Sequence, residues 1–201
     1  MRPTRLEPRV EGVLARLWEE GEANDARESD RSRCMLHITP DTGAFLHFLV
    51  HLTQGRNLLE VGTSDGYSTL WLADAARSLR GRVTTLERNA WKIERARAHF
   101  DEAGLSEWIT LEEGDALTYL SRAQGVFDFV FLDADRSDYP EYAPHLIRPL
   151  RPGGLWVTDN AVSHAHELAD FFTQIEADLG WERSLVPVGK GEALVMKPLY
   201  G

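Results

Sequence analysis

The sequence of 201 residues lacks several features that would each assign it to a class of protein. Cys34 is the only cysteine, so no intramolecular disulfide can form, which fits a reducing, cytoplasmic compartment. No apolar run approaches the ~20 residues of a membrane span, and the N-terminal segment lacks the apolar core of a signal peptide. We therefore expect a cytoplasmic protein without a membrane partner.

Basic residues are also scarce. The chain has 22 Lys and Arg against 32 Asp and Glu, which gives a formal net charge of -10, and the basic residues form no run. An acidic surface repels phosphate backbones, so we expect no nucleic-acid partner. The length suits one domain with a substantial core.

The sequence also lacks G-x-G-x-x-G, the fingerprint of dinucleotide-binding proteins. Instead, Gly62 and Gly66 form a G-x-x-x-G loop between an apolar run, Leu58–Val61, and an amphipathic helix predicted over Ser68–Leu79. A strand, a glycine loop and a helix in this order usually hold a small ligand at the start of the helix.

Predicted strands and helices alternate from Asn57 onward, which indicates a parallel sheet with helices on both faces. Two β-rich runs around residues 189–191 predict a C-terminal antiparallel hairpin. The predicted fold class is therefore α/β, with a doubly wound, mainly parallel, Rossmann-like sheet. The other strands are predicted at Arg82–Leu86, Trp108–Leu111, Phe127–Leu132 and Gly154–Thr158, and the other helices at Ala90–Ala103, Ala116–Arg122, Tyr139–Leu150 and His166–Leu179.

The N-terminal segment is organised differently. Apolar residues at helical spacing predict a helix over Pro8–Glu20, followed by a polar loop over Gly21–Arg33. A further helix is predicted to begin with Asp41 as its capping residue. We divide the chain into an N-terminal helical appendage, residues 1–37, and a ligand-binding domain, residues 38–201.

Acidic residues follow all five predicted parallel strands. Because ligands of open α/β sheets bind at the carboxyl ends of the strands, these residues are candidates for binding. At any single position, an acid could instead shape a turn. The residues are Glu60, Glu87, Asp115, Asp133 with Asp135, and Asp159 with Asn160.

The acids of the first loop favour a cationic ligand. Glu60 and Asp65 would repel a pyrophosphate, whereas they would attract the sulfonium and ammonium groups of S-adenosylmethionine (SAM), whose carboxylate suits a helix start. Glu87 ends the second strand, where a ribose-binding acid belongs. Asp115 is placed to accept a hydrogen bond from the adenine amino group.

Three segments, LLEVGTSDGYSTLWLA, FDFVFLDADRSDY and LRPGGLWVTDNAV, resemble the class I methyltransferases. Within that class they are most similar to the cation-dependent O-methyltransferases of the caffeoyl-CoA and catechol type. The resemblance covers roughly residues 38–197 and includes the segment ITPDTGAFL. It implies a seven-stranded sheet with an antiparallel last strand, SAM as the cofactor, and a homodimer.

The resemblance also implies roles for single residues. Glu87 would hold the ribose, Asp115 and Ala116 would frame the adenine, and Asp135 would approach the cofactor from the fourth strand. The methionine end of the cofactor would lie against Glu60, Gly62, Thr63 and Ser68.

A divalent cation is implied at Asp133, Asp159 and Asn160. Asp133 and the Asp159-Asn160 pair end consecutive predicted strands, which should be neighbours in the sheet. Their oxygen atoms suit a hard cation such as Mg²⁺, with Mn²⁺ or Ca²⁺ as alternatives. In the other interpretation, Asp159 and Asn160 only shape a loop.

One departure from the family pattern concerns the chemistry. The family's DADK motif carries a lysine assigned to deprotonating the acceptor, but this chain reads DADR. Arg136 cannot act as a base, although it could hold a developing phenolate by its charge. Arg136 and Asp133 are thus the predicted catalytic residues. The alternative for Arg136 is a surface residue paired with Asp138.

A second departure is the short segment after Asn160, AVSHAHELADF. The plant enzymes of this family carry a longer segment there, which covers the substrate. It contains His164 and His166, and either could be a base near neutral pH or simply a solvated residue at a helix start.

We predict a SAM-dependent O-methyltransferase that acts on a small hydroxylated acceptor, aromatic or catechol-like, with the help of a divalent cation. An NAD-dependent oxidoreductase is the first alternative, although the missing glycine fingerprint weighs against it. The second is a methyltransferase-like protein that binds the cofactor without catalysis.

Overall fold

The computed structural model describes residues 5–179, 181 and 183–199. In this part of the chain, seven strands form one sheet in the order β3-β2-β1-β4-β5-β7-β6. The strands are β1 Asn57–Val61, β2 Arg82–Glu87, β3 Ile109–Glu113, β4 Phe127–Leu132, β5 Leu150–Thr158, β6 Arg183–Val186 and β7 Glu192–Met196.

The first five strands pair in parallel, whereas β7 is antiparallel to both β5 and β6. The predicted fold class and the C-terminal hairpin are therefore confirmed. The strand order reverses between β1 and β4, which is the position where open α/β sheets leave a crevice for a ligand.

Helices cover both faces of the sheet because successive strand residues point to opposite sides. Leu58 belongs to a core shared with the first four helices, and the adjacent Leu59 belongs to a core shared with the last three. None of the described helices has the length and apolar character needed to cross a membrane. The helices are α1 Pro8–Asp25, α2 Pro40–Thr53, α3 Tyr67–Ser78, α4 Ala90–Ala103, α5 Ala116–Arg122, α6 Tyr139–Ile147 and α7 Ala165–Leu179.

The N-terminal helix α1 packs against the sheet domain. Its apolar face, from Val10 to Leu17, is buried in the same core as α3 and α4. The predicted loop over Gly21–Arg33 was partly wrong, because α1 continues to Asp25 and a 3₁₀ turn forms at Arg31–Arg33. The division of the chain after residue 37 stays a prediction, and its outermost residues, 1–4 and 200–201, lie outside the described residues.

Helix α2 begins with a different capping residue from the one predicted, and the predicted residue instead contacts the C-terminal hairpin. Thr39 caps the helix, since its hydroxyl accepts from the backbone N–H of Thr42, and Pro40 occupies the first turn. Asp41 was wrongly predicted as the cap. Its carboxylate instead accepts from the backbone N–H of Gly189 at 3.2 Å, which ties the β6–β7 turn to the start of α2.

The turn after β1 depends on Gly62. This residue has φ +102°, and a Cβ atom there would lie 2.0 Å from the carbonyl oxygen of Asp133. The absence of a side chain therefore lets the glycine loop lie directly against the end of β4.

We expect Gly62→Ala to lower the free energy of unfolding by about 2–4 kcal/mol, because alanine would be strained at this φ and would displace backbone atoms. Urea denaturation followed by circular dichroism measures the change. Gly12→Ala is the matched control, since Gly12 lies in α1 with open space around it and alanine favours a helix. A loss at Gly62 no larger than that at Gly12 would contradict the close-approach argument.

Candidate functional site

A cavity of about 590 Å³ opens at the carboxyl ends of β1, β2 and β4. Its volume lies in the usual range for small-molecule sites. The glycine loop forms its floor, and the segment between α1 and α2 forms one wall. Six of the eight residues predicted to bind the cofactor line this cavity: Gly62, Thr63, Ser68, Glu87, Ala116 and Asp135.

Glu60 is one of the two exceptions. Its side chain is fully buried, and its carboxylate accepts hydrogen bonds from the hydroxyls of Ser68, Thr69 and Thr85. Burial raises the pKa of Glu60 to about 7, although the three hydroxyl donors favour the charged form. Glu60 therefore joins β1, α3 and β2 below the cavity.

Asp65 is also turned away from the cavity. Its carboxylate contacts the His37 ring at 2.7 Å, and both side chains are buried. The electrostatic argument against a pyrophosphate was wrong in its choice of residues, because neither Glu60 nor Asp65 lines the cavity. The acids that line it are Glu87, Asp133, Asp135 and Asp138.

Glu87 faces the cavity from the end of β2. One carboxylate oxygen accepts from the backbone N–H of Ser64 at 2.8 Å, and the other accepts from those of Arg88 and Asn89 at 3.0 and 2.9 Å. Three fixed donors hold this carboxylate in one position. An acid held in this way can present its remaining lone pairs to a hydroxylated ligand.

Asp115 is the second exception among the predicted cofactor residues. It caps α5, accepting from the backbone N–H of Thr118 at 2.8 Å, and it is exposed. The adjacent Gly114 and Ala116 line the cavity instead. Asp135 lies at the cavity wall and accepts from the Ser137 hydroxyl at 3.1 Å.

The predicted cation ligands meet at the ends of two neighbouring strands. Asn160 donates from its amide to Asp159 at 2.7 Å and to Asp133 at 3.4 Å. Burial and the nearby Asp159 carboxylate raise the pKa of Asp133 well above its ordinary value. The expected adjacency of the two strands is thus confirmed, and two carboxylates share one amide donor.

Each of the three residues carries an oxygen atom of the kind that Mg²⁺ prefers, although the Asn160 amide presents its NH2 group to the two carboxylates. In the described part of the chain, however, no group of three His, Cys, Asp or Glu side chains is arranged to hold a metal ion. The predicted set contains two carboxylates and an amide. Its role as a cation site stays a prediction.

Sequence reasoning missed Glu192, the first residue of β7. It is fully buried, its Oε1 atom accepts from the Thr42 hydroxyl at 3.1 Å, and its Oε2 atom has no hydrogen-bond partner. Burial and the Asp159 carboxylate raise its pKa to about 10. The one signal in the sequence was an acid at the start of an otherwise apolar strand, GEALVM.

Arg136 lines the cavity and is held by an ion pair. Its Nε atom donates to the Glu167 carboxylate at 2.6 Å. The predicted alternative, a surface pair with Asp138, was wrong in its partner, because Asp138 lies 3.5 Å from Arg88. Arg136 is thus a cation fixed at the cavity wall.

The two candidate histidines differ in position. His164 lines the cavity and contacts the Ser163 hydroxyl at 2.8 Å, whereas the side chain of His166 is 82% exposed. Burial and the charge of Arg136 lower the pKa of His164. Of these two histidines, His164 is therefore the one placed to exchange a proton inside the cavity.

The segment before α2 was not predicted to take part in the site. Residues 35–38 line the cavity, and the Ser64 hydroxyl donates to the carbonyl oxygen of Met35 at 2.8 Å. The contact between His37 and Asp65 ties the same segment to the glycine loop. These are contacts between distant parts of the chain, so no local pattern signals them.

Comparison with known proteins identifies the family. The family model described as O-methyltransferase matches residues 24–198. The chain belongs to this O-methyltransferase family. The resemblance seen in the sequence is confirmed at that level.

Two relatives of this chain are named catechol O-methyltransferase. The protein of Niastella koreensis is 36% identical over 143 residues, which cover 69% of this chain and 64% of that protein. The protein of Mycobacterium tuberculosis is 38% identical over 149 residues, covering 74% and 66%. The aligned segments span just under two thirds of each relative.

Solved structures of O-methyltransferases share the fold. One from Bacillus cereus is in complex with SAH (S-adenosylhomocysteine, the demethylated form of SAM). It has a TM-score of 0.77 at 28% identity, and the match covers 92% of this chain and 91% of that protein's chain. One from Streptomyces achromogenes, involved in tomaymycin synthesis and in complex with SAM, has a TM-score of 0.77 at 27% identity, with coverage of 98% and 92%.

The buried Glu60 gives a pH-dependent stability that can be measured. Its pKa is about 7 in the folded chain against an ordinary value of 4.5, so the folded state holds an extra proton between these two pH values. The associated stability is therefore full below about pH 4.5 and is lost as the pH rises to about 7, by about 3 kcal/mol at most.

Glu60→Gln should remove this part of the pH dependence, and denaturation curves from pH 4.5 to 8 compare the slopes. Glu107→Gln, at an exposed position, is the control. The pKa argument fails if Glu60→Gln and the parent lose stability equally over this range.

Proposed function

We propose that the protein transfers a methyl group from SAM to a hydroxyl of a small aromatic acceptor of the catechol type, with the help of a divalent cation. The observation that carries the proposal is a single cavity lined by Glu87 on one side and by Asp133, Arg136 and Asn160 on the other. Membership of the O-methyltransferase family and two relatives named catechol O-methyltransferase support it.

SAM supplies the methyl group on its cationic sulfonium. In this proposal the backbone of the loop Gly62–Ser64 and the start of α3 hold its methionine end, and the fixed carboxylate of Glu87 accepts from the ribose hydroxyls. Glu87 and Asp135 line the cavity and give its wall a negative character that suits a sulfonium. Solved O-methyltransferases in complex with SAM or SAH support SAM as the methyl donor.

Asp133, Asp159 and Asn160 would hold the cation, which lowers the pKa of an acceptor hydroxyl when bound. The fit rests on the two neighbouring carboxylates, whose mutual repulsion a cation would offset. Asn160 has φ +66°, and its amide already bridges both carboxylates.

Arg136 and His164 divide the work of the family's lysine in this proposal. Arg136, held by Glu167, stabilises a developing phenolate by its charge. His164 has a lowered pKa and is therefore neutral near pH 7, so it is able to accept a proton. The protein otherwise acts by aligning the acceptor oxygen with the methyl group.

The reaction itself is tested by incubating the protein with SAM and a panel of catechols, hydroxycinnamates and flavonoids, with Mg²⁺ or with excess chelator. We expect methylated catechol by mass spectrometry, strongly reduced by the chelator. The Asp159→Ala variant should lose this activity. It should still bind SAH in calorimetry, because Asp159 is not among the residues proposed to hold the cofactor.

Different failures of this experiment have different meanings. Full activity in chelator would overturn the cation but leave the methyltransferase. Binding of SAM without methylation of any acceptor would favour the non-catalytic alternative, and binding of NAD instead of SAM would favour the oxidoreductase.

Arg136 is tested by comparing Arg136→Ala with Arg136→Lys. We expect kcat to fall at least tenfold in the alanine variant with little change in SAH affinity, because the charge acts on the transition state. The lysine variant should keep substantial activity because the charge is retained. Equal activity of the parent and the alanine variant across pH 6 to 9 would show that Arg136 is only a surface residue.

A further inference from the structure

His37 and Asp65 form a buried contact between two segments at the cavity. His37 belongs to residues 35–38, which we call the strap, and Asp65 belongs to the glycine loop. Their side chains are 3% and 1% exposed, and the Nε2 atom of His37 lies 2.7 Å from a carboxylate oxygen of Asp65. Burial raises the pKa of Asp65, but His37 and His99 hold it below its ordinary value, so Nε2 donates to an ionised carboxylate.

The ring of His37 is closely packed around this bond. It stacks on Tyr67 with the ring centroids 4.6 Å apart, and Gly21 of α1 leaves room for it, since a Cβ atom there would collide with the ring. Its Nδ1 atom has no hydrogen-bond partner within the described residues. Asp65 is therefore the polar group that orients the ring.

Asp65 is held from a second side. Its backbone carbonyl oxygen accepts from the Nδ1 atom of His99 on α4 at 2.8 Å. The preceding residue, Ser64, donates from its hydroxyl to the carbonyl oxygen of Met35 in the strap at 2.8 Å. The glycine loop is thus fixed by α4 on one side and by the strap on the other.

The strap depends on such contacts because its backbone is strained. Leu36 has φ +55°, a left-handed conformation that residues other than glycine rarely adopt. The backbone N–H groups of Met35 and Leu36 each donate to the Asp25 carboxylate of α1 at 2.7 Å. Strained segments persist only where their surroundings hold them. Asp25 holds the strap from α1, and His37 holds it against the glycine loop.

We propose that His37 is a positioning residue for SAM, which acts through Asp65 by holding the strap and the glycine loop together at the cavity. The proposal rests on the proposed function in placing the methionine end of SAM on this loop. Residues of both segments line the cavity. Without the buried pair, the cofactor would have to order these two walls as it binds, and that ordering lowers affinity.

Calorimetric binding of SAH tests this role without any turnover. His37→Phe keeps an aromatic ring against Tyr67 but removes the donor to Asp65. His37→Gln keeps a donor, because the amide nitrogen of glutamine can take the place of Nε2. Asp65→Ala removes the acceptor, and the double variant His37→Phe/Asp65→Ala removes both partners.

His47→Phe is the matched control. His47 and Asp74 form a buried pair of the same kind between α2 and α3, with the Nε2 atom 3.1 Å from the carboxylate. Neither of the two is among the described residues that line the cavity. The control therefore loses a buried histidine bond without a change at the cavity wall.

We expect His37→Phe and Asp65→Ala each to weaken SAH binding about tenfold or more, because binding must then order the strap. The double variant should be no weaker than the weaker single variant, since both changes remove one bond. His37→Gln should stay within about threefold of the parent, and His47→Phe within about twofold. Thermal melting without ligand establishes that each variant is folded. If His37→Phe is unfolded, the double variant replaces it with the same expectation, because it leaves no buried carboxylate unpaired.

Unchanged SAH affinity in folded His37→Phe and Asp65→Ala would overturn the proposal. An equal loss in His47→Phe would also overturn it, since the effect would then follow from stability alone. Losses that add in the double variant, or a loss in His37→Gln as large as in His37→Phe, would contradict the action through Asp65. A parent that binds no SAH would overturn the cofactor assignment together with this role, whereas a parent that binds SAH but methylates nothing would count against the proposed function only.

Discussion

The hydrogen bonds to the buried carboxylate of Glu60 are the interaction on which the rest of the site depends. Hydroxyls of Ser68 and Thr69 on α3 and of Thr85 on β2 converge on this one side chain of β1. They fix the angle at which α3 leaves the sheet, and therefore the position of the glycine loop between them. The loop and Asp133 both line the cavity, and Gly62 allows their two backbones to lie in contact beneath it.

Two groups of acids lie at neighbouring strand ends, and they differ in how many hydrogen bonds their carboxylates accept. Glu60 receives three hydroxyl donors and needs nothing further from a ligand. Asp133, Asp159 and Glu192 receive one shared amide and one threonine hydroxyl between them. Buried polar groups are normally satisfied, so an under-satisfied cluster beside a cavity is a better indicator of ligand binding than the mere presence of acids.

The sequence predicted the architecture because apolar strands, helix periodicity and glycine turns are local signals. It was less successful where contacts between distant residues decide the outcome. The sequence predicts Asp41 as a helix cap, whereas in the structure its carboxylate accepts a hydrogen bond from the backbone N–H of Gly189. Asp65 was assigned to the cavity by its place in the loop, although His37, 28 residues earlier, turns it inward. Glu192 was not predicted as a site residue, because it lies beside Asp159 only through the register of β5 and β7.

The DADR motif carries arginine where the family's motif carries lysine, and this difference decides which side chain can accept a proton in the proposed reaction. A lysine can hold charge and accept a proton in turn, whereas an arginine retains its proton. Arg136 is held in place by Glu167, while burial and, after it, the positive charge of Arg136 lower the pKa of His164. The arginine therefore removes one base, and His164 is the remaining residue to which the proposal assigns the proton. In the proposed reaction, charge stabilisation and proton acceptance therefore belong to two side chains whose properties are electrostatically linked.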